Sequence, residues 1–294
     1  MKNSDINKNI KTSLKFRTGH EKKGKSTKRL VVLFAVVMIL VASVSLAVTL
    51  AENEFNLGNI GQTIGETTTD EITTQQESVV GKTNFLLVCT DDDSTVVRYA
   101  ALLCADMNVH QLRLFMLELD RTCTANNFSG TLVQHYQHAG MPQLVRAVEQ
   151  YTQVGIARYI MATDSSFKKA VKLFGGLQFD VPVTTVCELN GVTFTIDKGL
   201  QTLTPDMMMR YMIHLSQGGA ADEKVLAQLL CAMIDSALSE ESLENSEQLF
   251  RNLSNYVNTN ISVVDFAAAR TAIGAFIGSS ERTPSVVTDS AQDF

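Results

Sequence analysis

The distribution of hydrophobic and polar residues changes sharply along the chain. Residues 30–50 form an uninterrupted apolar run of 21 residues without a charge. At about 1.5 Å per residue, such a helix crosses roughly 30 Å of hydrocarbon, so the run predicts one transmembrane helix. Residues 51–81 show no apolar periodicity, and the stretch 63–76 is rich in Thr, Glu and Gln. This composition predicts a flexible stalk.

Beyond residue 81, short apolar runs alternate with helical spacings. Polar residues bound the runs, which predicts buried strands. Gly175-Gly176 suits the end of a helix, because glycine readily adopts the left-handed conformation found there. Strands are predicted at 84–89, 99–105, 112–119, 159–162, 179–183 and 192–196, and helices at 141–151, 165–174, 205–215, 223–238 and 266–277.

This alternation predicts an α/β fold. We expect a three-layer α/β/α sandwich with a central mixed sheet over residues 82–278, because helices between strands must pack on the faces of the sheet. The polar residues 279–294 are expected to form a frayed tail.

Charge predicts how the chain is oriented in the membrane. Ten of the 25 Lys and Arg residues lie within residues 1–29, against only two acidic residues. By the positive-inside rule, this basic tail stays in the cytoplasm and the domain is exported from a single-pass anchor in the cell membrane. A cleaved signal peptide ending near residue 47 is the alternative. The apolar run is longer than a signal core of about 7–15 residues, which favours an uncleaved anchor.

The exported part is strongly acidic. After residue 50 the chain carries 15 Lys and Arg and 29 Asp and Glu, a net charge of about −14. Nucleic acid is therefore not an expected partner, since its binding depends on clustered cations that neutralise phosphates.

Five cysteines follow the anchor, and none lies in a CxxC pair, which disfavours zinc and thioredoxin-like sites. Cys89, Cys104 and Cys231 interrupt apolar runs and are expected to be small buried hydrophobes. One disulfide bridge would be compatible with the odd count, but the sequence does not assign it.

Residues 144–182, LVRAVEQYTQVGIARYIMATDSSFKKAVKLFGGLQFDVP, resemble the middle of the LytR-CpsA-Psr family domain. The resemblance covers roughly residues 82–235 and includes a first strand, 84–91, that is similar to the strand ending in the family's GTD motif. It is carried by Phe167, Gly175, Gly176, Asp180, Val181 and Pro182, by the segment 198–204, and by Met209 and Tyr211.

The resemblance implies a function in the cell envelope. Members of this family are thought to transfer glycopolymers from a polyprenyl-pyrophosphate carrier to the cell wall. That chemistry uses acidic residues that hold a divalent cation such as Mg²⁺, arginines that bind the phosphates, and an apolar cavity for the lipid. The resemblance therefore implies the membrane and a polyprenyl-linked glycan, or an envelope protein, as partners.

The acidic positions of the family are only partly kept. Asp91 matches the first acidic motif and is the candidate metal ligand, while an acidic position of the second motif falls on Arg98. Asp120 is retained, but the arginine expected before it is Leu119. Arg121 is adjacent, although a shift of one residue on a strand points a side chain to the other face.

The phosphate-binding positions depart further from the family. The family's Arg-x-Arg pair falls on Ile213 and Leu215, and on the following helix only Lys224 is basic. Each charge-assisted contact contributes roughly 1.5–3 kcal/mol. Loss of several such contacts predicts a degenerate member with weak or no catalysis. Two alternatives remain: an active ligase with a rearranged site, and a non-catalytic module that binds lipid, glycan or protein.

Arg98 carries the sharpest structural expectation. An unpaired carboxylate in a cleft is costly, and a guanidinium can satisfy it with two hydrogen bonds. We therefore expect Arg98 within salt-bridge distance of Asp91 or Asp120, in the place of the metal. The alternative is that Arg98 points to solvent.

Three other groups have competing interpretations. The run at residues 91–93 suits either a cation or a solvated turn. His135 and His138 are spaced for a metal, but no third ligand lies nearby. The resemblance places them in the family's hAyayGG helix, which favours a structural role. Met208 and Met212 belong to a methionine cluster that would either line a lipid cavity or form helical core.

Overall fold

A computed structural model describes residues 81–172, 176–189 and 191–263, with short stretches at 265–266, 273–274, 276–279 and 283–288. The predicted basic tail, anchor and stalk up to residue 80 lie outside the described residues. Within the described part, no helix combines the length and apolar character needed to cross a membrane.

A six-stranded mixed sheet forms the centre of the domain. Strands β1, β2 and β3 run antiparallel to one another in that order, while β6 lies parallel to β1 on its other side and β12 lies parallel to β3. The strand order is β11-β6-β1-β2-β3-β12. The bounds are Lys82–Thr90 (β1), Val97–Asp106 (β2), Gln111–Met116 (β3), Arg158–Thr163 (β6), Asn258–Thr259 (β11) and Ser285–Val287 (β12). The predicted mixed sheet is confirmed.

Three two-stranded sheets and six helices complete the described elements. The small sheets pair Thr122–Ala125 (β4) with Phe128–Thr131 (β5), Leu177–Val181 (β7) with Gly199–Leu203 (β10), and Thr185–Leu189 (β8) with Val192–Ile196 (β9). The helices are Leu132–Thr152 (α1), Asp164–Lys172 (α2), Pro205–Ser216 (α3), Ala220–Ala237 (α4), Glu240–Glu244 (α5) and Ser246–Ser254 (α6).

Alternate residues of the central strands are buried on opposite faces of the sheet. Phe85 and Cys89 of β1 pack in one cluster with residues of α2, α3, α4 and α6. Leu86 and Val88 pack in a second cluster with α1. Because successive side chains of a strand point to opposite faces, helices cover both sides of β1 and β2. Because both faces of the sheet are covered by helices, β2 is buried along nearly its whole length.

The predicted strands and helices are present wherever the structure describes them, with shifted ends. The helix predicted at 141–151 is only the second half of α1. The backbone of α1 leaves helical geometry at Ala139 and Gly140, and Gly140 has φ of +69°. Pro142 lies two residues after Gly140, so the regular apolar spacing begins only after this kink. Most of the helix predicted at 266–277 lies outside the described residues.

The polar tail needs a correction. Ser285–Val287 is not frayed but forms β12, which adds to the edge of the central sheet parallel to β3. A three-residue strand is too short to give a recognisable apolar pattern, which is why the tail was predicted to lack structure.

Gly176 lies where the predicted Gly175-Gly176 turn meets β7, and Gly175 itself lies outside the described residues. Its φ is +112°, and an added Cβ would stand 2.5 Å from the carbonyl oxygen of Leu203. We expect Gly176→Ala to lower the free energy of unfolding by about 1–3 kcal/mol, measured by urea denaturation, because backbone strain and a backbone contact add together.

Gly191→Ala is the matched control for this substitution. Gly191 also has positive φ, +74°, but nothing lies within 4 Å of its added Cβ. Gly191→Ala should lower the free energy of unfolding less than Gly176→Ala does. Equal losses at the two positions would contradict the predicted contact with Leu203.

Candidate functional site

The candidate site lies at the carboxyl end of the two parallel central strands. Thr90 of β1 pairs in register with Thr163 of β6. Asp91 and Asp164 therefore follow neighbouring strands at the same edge of the sheet. Ligands of open α/β sheets bind at this edge.

Arg98 and Asp164 form the central ion pair of this edge. The Arg98 Nε and Nη2 atoms donate to the same Asp164 oxygen, Oδ2, at 3.2 and 3.0 Å. The side chains are 21% and 12% exposed, so the pair is largely withdrawn from water. Burial raises the pKa of Asp164, and the Arg98 guanidinium opposes that rise.

The predicted partner of Arg98 is therefore wrong. Arg98 does pair with a carboxylate at the sheet edge, but the carboxylate is Asp164 and not Asp91 or Asp120. Asp164 begins α2 directly after β6, and β2 lies on the far side of β1 from β6. The long arginine side chain reaches across the end of β1, which sequence spacing alone does not reveal.

Asp91 holds its own loop together. Its Oδ1 accepts the backbone N–H groups of Thr95 and Val96 at 2.7 and 2.8 Å, and its Oδ2 accepts the Thr95 hydroxyl at 2.9 Å. These hydrogen bonds lower the pKa of Asp91, that from Val96 most of all. This is the arrangement of an aspartate that stabilises a turn.

Asp92 caps the helix that follows β6. Its Oδ1 accepts the backbone N–H of Ser165 at 2.7 Å, in the first turn of α2. This hydrogen bond is the largest reason that the pKa of Asp92 is lowered. Asp92 therefore connects the loop after β1 to the start of α2.

We expect Asp92→Ala to lower the free energy of unfolding at neutral pH by about 1 kcal/mol, the usual cost of a lost helix cap. Because the pKa of Asp92 is lower in the folded state, its contribution is present above the ordinary aspartate pKa and is lost as pH falls through the folded value. Urea denaturation between pH 7 and pH 3 should show the gap between wild type and variant closing in acid. An unchanged gap would contradict the capping role.

The carboxylates of this edge do not fit a divalent cation. Mg²⁺ requires several oxygens that converge in near-octahedral geometry. Here Asp91 and Asp92 accept backbone N–H groups, and Asp164 is bonded to a guanidinium. Among the described residues, no three His, Cys, Asp or Glu side chains are grouped to hold a metal ion. These three carboxylates are therefore bonded to groups of the protein itself.

Asp120 and Arg121 lie in the exposed turn after β3. Arg121 lies 3.7 Å from Glu118 and its guanidinium stands 5.3 Å from the centre of the Tyr151 ring. Within the described chain, no ion pair joins Asp120 to Arg98, and none joins Arg121 to the carboxylates of the sheet edge. Their predicted roles in catalysis and phosphate binding stay predictions.

The remaining predicted ligand-binding residues have contrasting environments. Lys224 is exposed near the start of α4. Met208 and Met212 are buried, at 1% and 2% exposure, and belong to the core on the α3 side of the sheet. They pack with Tyr211, which is also fully buried. Core packing accounts for both methionines, and a lipid contact stays a prediction.

Apolar side chains, two of them buried and one partly buried, occupy the positions where the family resemblance places arginines. Ile213 and Leu215 are 5% and 2% exposed in the core of α3, and Leu119 packs at the margin of the α1 cluster. Because an unpaired charge is costly to bury, these three positions are adapted to apolar packing.

The histidines have structural roles. His135 is fully buried, its Nδ1 accepts from the Gln143 amide at 2.9 Å, and its Nε2 lies 3.1 Å from the Cys123 carbonyl oxygen. The exposed His138 ring stacks on Phe128 at 4.2 Å between ring centres. Both rings thus fasten the β4–β5 hairpin to α1. All five cysteines are free thiols in this structure.

Sequence reasoning missed Asp164 as a site residue. The available signal was its position directly between a predicted strand and a predicted helix, at the carboxyl edge of the sheet. The family resemblance pointed to acidic residues elsewhere in the chain. Ser165 and Thr163 were missed for the same reason, although both contribute to the bonds that link Asp92, β6 and α2.

Comparisons with solved structures agree on the fold. TagV of B. subtilis aligns with a TM-score of 0.58 at 17% identity, over 70% of this chain and 84% of that one. A putative transcription regulator from Eubacterium siraeum aligns with a TM-score of 0.62 at 16% identity, over 78% and 90% of the two chains. TagT bound to LI-WTA aligns with a TM-score of 0.52 at 13% identity, over 71% and 78%. No curated protein matches the sequence.

The family comparison covers most of the chain. The profile of the LytR_cpsA_psr family matches residues 56–276, which extends beyond the segment that carried the resemblance in sequence. Together with the mixed sheet and the motifs around Gly176 and Asp180, this match assigns the family. The chain belongs to the LytR-CpsA-Psr family.

Proposed function

We propose that this protein is a membrane-anchored component of the cell envelope that binds a polyprenyl-linked glycopolymer and has weak or no transferase activity. Family membership supports the class of ligand, and the neighbour TagT bound to LI-WTA supports a glycopolymer in particular. The basic residues before the apolar run 30–50 support a cytoplasmic amino terminus and an extracytoplasmic domain.

The observation that carries the proposal is the pairing of Arg98 with Asp164. A transferase site that works on a pyrophosphate must leave cations free for phosphate oxygens and carboxylates free for a metal. Here the cation and the carboxylate at the sheet edge satisfy each other. Leaving group and metal would both have to displace a largely buried ion pair.

The apolar side chains at Leu119, Ile213 and Leu215 support the same conclusion. Three arginines at these positions would give three charge-assisted contacts to phosphate, each of roughly 1.5–3 kcal/mol. Without these contacts the protein would stabilise the transition state of phosphoryl transfer less well. Binding of an apolar chain or of sugar hydroxyls does not require them. The protein would therefore still bind the glycopolymer but transfer it slowly or not at all.

A binding experiment tests this function. The full-length protein in detergent is titrated with a fluorescent polyprenyl-pyrophosphate glycan analogue, once with Mg²⁺ and once with EDTA. We expect saturable binding with the same Kd in both, because the carboxylates already have partners. Absence of binding, or binding that requires Mg²⁺, would contradict the proposal. A glycan-free polyprenyl pyrophosphate is the control that separates lipid from sugar recognition.

A further inference from the structure

Two cations from different helices share one carboxylate on the surface beside the candidate site. Lys168 of α2 bonds to Asp206 Oδ1 at 2.5 Å, and Arg210 of α3 donates through Nε to Asp206 Oδ2 at 2.9 Å. Lys168 lies one helical turn beyond Asp164 of the ion pair. The cluster therefore carries one net positive charge, in a chain whose residues after 50 carry a net charge of about −14.

The Arg210 guanidinium is held in place but keeps free donors. Its central carbon lies 5.5 Å from the centre of the Phe194 ring, and only Nε is used by Asp206. Within the described residues, the Nη1 and Nη2 groups donate no hydrogen bond. The side chain is 26% exposed, so this fork can be reached from solvent.

Lys168 contributes a second free set of donors. Its ammonium makes one contact in the described structure, to Asp206, and the side chain is 44% exposed. A lysine has three N–H donors, so two remain. Since both cations are bonded to the same carboxylate, their remaining donors lie close to each other.

We propose that Lys168 and Arg210 form a binding site for a phosphate group. An arginine fork matches two phosphate oxygens, and a neighbouring lysine supplies a point charge to a third. Asp206 orients both cations before the ligand arrives, which lowers the ordering cost of binding. The Phe194 ring, whose centre lies 5.5 Å from the Arg210 guanidinium carbon, makes a cation–π contact that restrains the guanidinium.

The other shared carboxylate does not offer the same site. Lys82 and Arg113 both approach Asp106, but at 4.0 and 3.7 Å, and the Asp106 side chain is only 8% exposed. Asp106 also accepts the backbone N–H of Asn108, so it serves the turn between β2 and β3. That cluster lies at the opposite end of the sheet from Asp164, since Asp106 ends β2 opposite Lys82, the first residue of β1.

The inference deepens the proposed function by naming residues that would receive a phosphate of the ligand. Two sources carry this chemistry: the pyrophosphate of a lipid carrier and a phosphodiester in a polymer backbone. Both would occupy the same fork, and small probes separate them.

Calorimetric titration of the full-length protein in detergent tests the site, with inorganic pyrophosphate and a glycerol phosphodiester as separate probes. We expect at least one probe to bind, and Arg210→Gln and Lys168→Gln each to weaken it by about tenfold or more, because each removes charge-assisted contacts. Arg210→Lys should fall between wild type and Arg210→Gln, since it keeps the charge but loses the fork.

Arg251→Gln is the matched control. Arg251 also bonds to a carboxylate one turn earlier, Glu247, at 2.9 Å, but neither residue is bonded to Lys168, Asp206 or Arg210 in the described structure. Its removal should leave affinity unchanged. Failure of both probes to bind wild type, or equal affinity of wild type and Arg210→Gln, would overturn the site.

The two proposals can fail separately. If the phosphate probes bind and depend on Arg210 but the polyprenyl analogue does not bind, the phosphate site stands and the proposed function falls. If the analogue binds and Arg210→Gln binds the probes equally well, the proposed function stands and this site falls.

Discussion

Replacing Arg98 with alanine is expected to lower the free energy of unfolding by about 3 kcal/mol. The substitution leaves the Asp164 carboxylate, at 12% side-chain exposure, without the guanidinium that now donates two hydrogen bonds to it. Removing one partner of a buried pair costs about 3–5 kcal/mol, and we expect the lower end because the pair is partly exposed. Urea denaturation of the full-length protein in detergent measures the change.

The double variant Arg98→Leu/Asp164→Asn is the control for this effect. It removes both charges together, so most of the lost stability should return, since the cost in the single variant comes from an isolated charge. A loss below about 0.5 kcal/mol in Arg98→Ala would show that the pair resembles an ordinary surface salt bridge. The Arg98–Asp164 pair would then be too weak to keep metal and pyrophosphate out of the site.

Restoring a family arginine at Ile213 is expected to destabilise the domain by about 4 kcal/mol or more, because an unpaired charge would replace a core side chain. Ile213 is 5% exposed, and its neighbours Met212 and Leu215 are equally buried. Thermal unfolding followed by circular dichroism should show a fall in Tm of several degrees or a failure to fold.

Leu200→Arg is the matched control, because Leu200 is 73% exposed on β10. The same side chain introduced there should change the free energy of unfolding by no more than about 0.5 kcal/mol. A stable Ile213→Arg variant would mean that the arginine reaches an open cleft. The apolar residues at the family's arginine positions would then not indicate a lost phosphate site.

The central strands could be predicted because burial determines their composition. Phe85, Leu86, Leu102 and Leu103 are fully buried, and continuous apolar runs are typical of strands covered on both faces. In the small sheets, β7 and β9 were predicted, whereas β4, β5, β8 and β10 were not. Strand β8 is exposed at every second residue, including Val186 at 60%, so it lacks an apolar run.

The candidate site was predicted in part. Sequence placed Asp91 after the first strand and Arg98 at the start of the second, and the structure has both at the edge where β1 ends and β2 begins. The pairing could not be predicted, because Arg98 and Asp164 are 66 positions apart and meet only through the parallel pairing of β1 with β6. Asp91 accepts hydrogen bonds from residues of its own loop, such as Thr95, and therefore needs no partner from a distant part of the chain.

Turnover of a lipid-linked substrate tests the central claim most directly: that the family fold is retained while the metal-dependent chemistry is not. Purified full-length protein in detergent is incubated with a radiolabelled polyprenyl-pyrophosphate glycopolymer, a cell-wall acceptor and Mg²⁺, beside an active family member. We expect release of the carrier at least about 100-fold slower than in the active member, equivalent to about 2.7 kcal/mol of lost transition-state stabilisation. Mg²⁺-dependent turnover at a comparable rate would contradict the account, since it would show that the pair of Arg98 and Asp164 opens to admit metal and pyrophosphate.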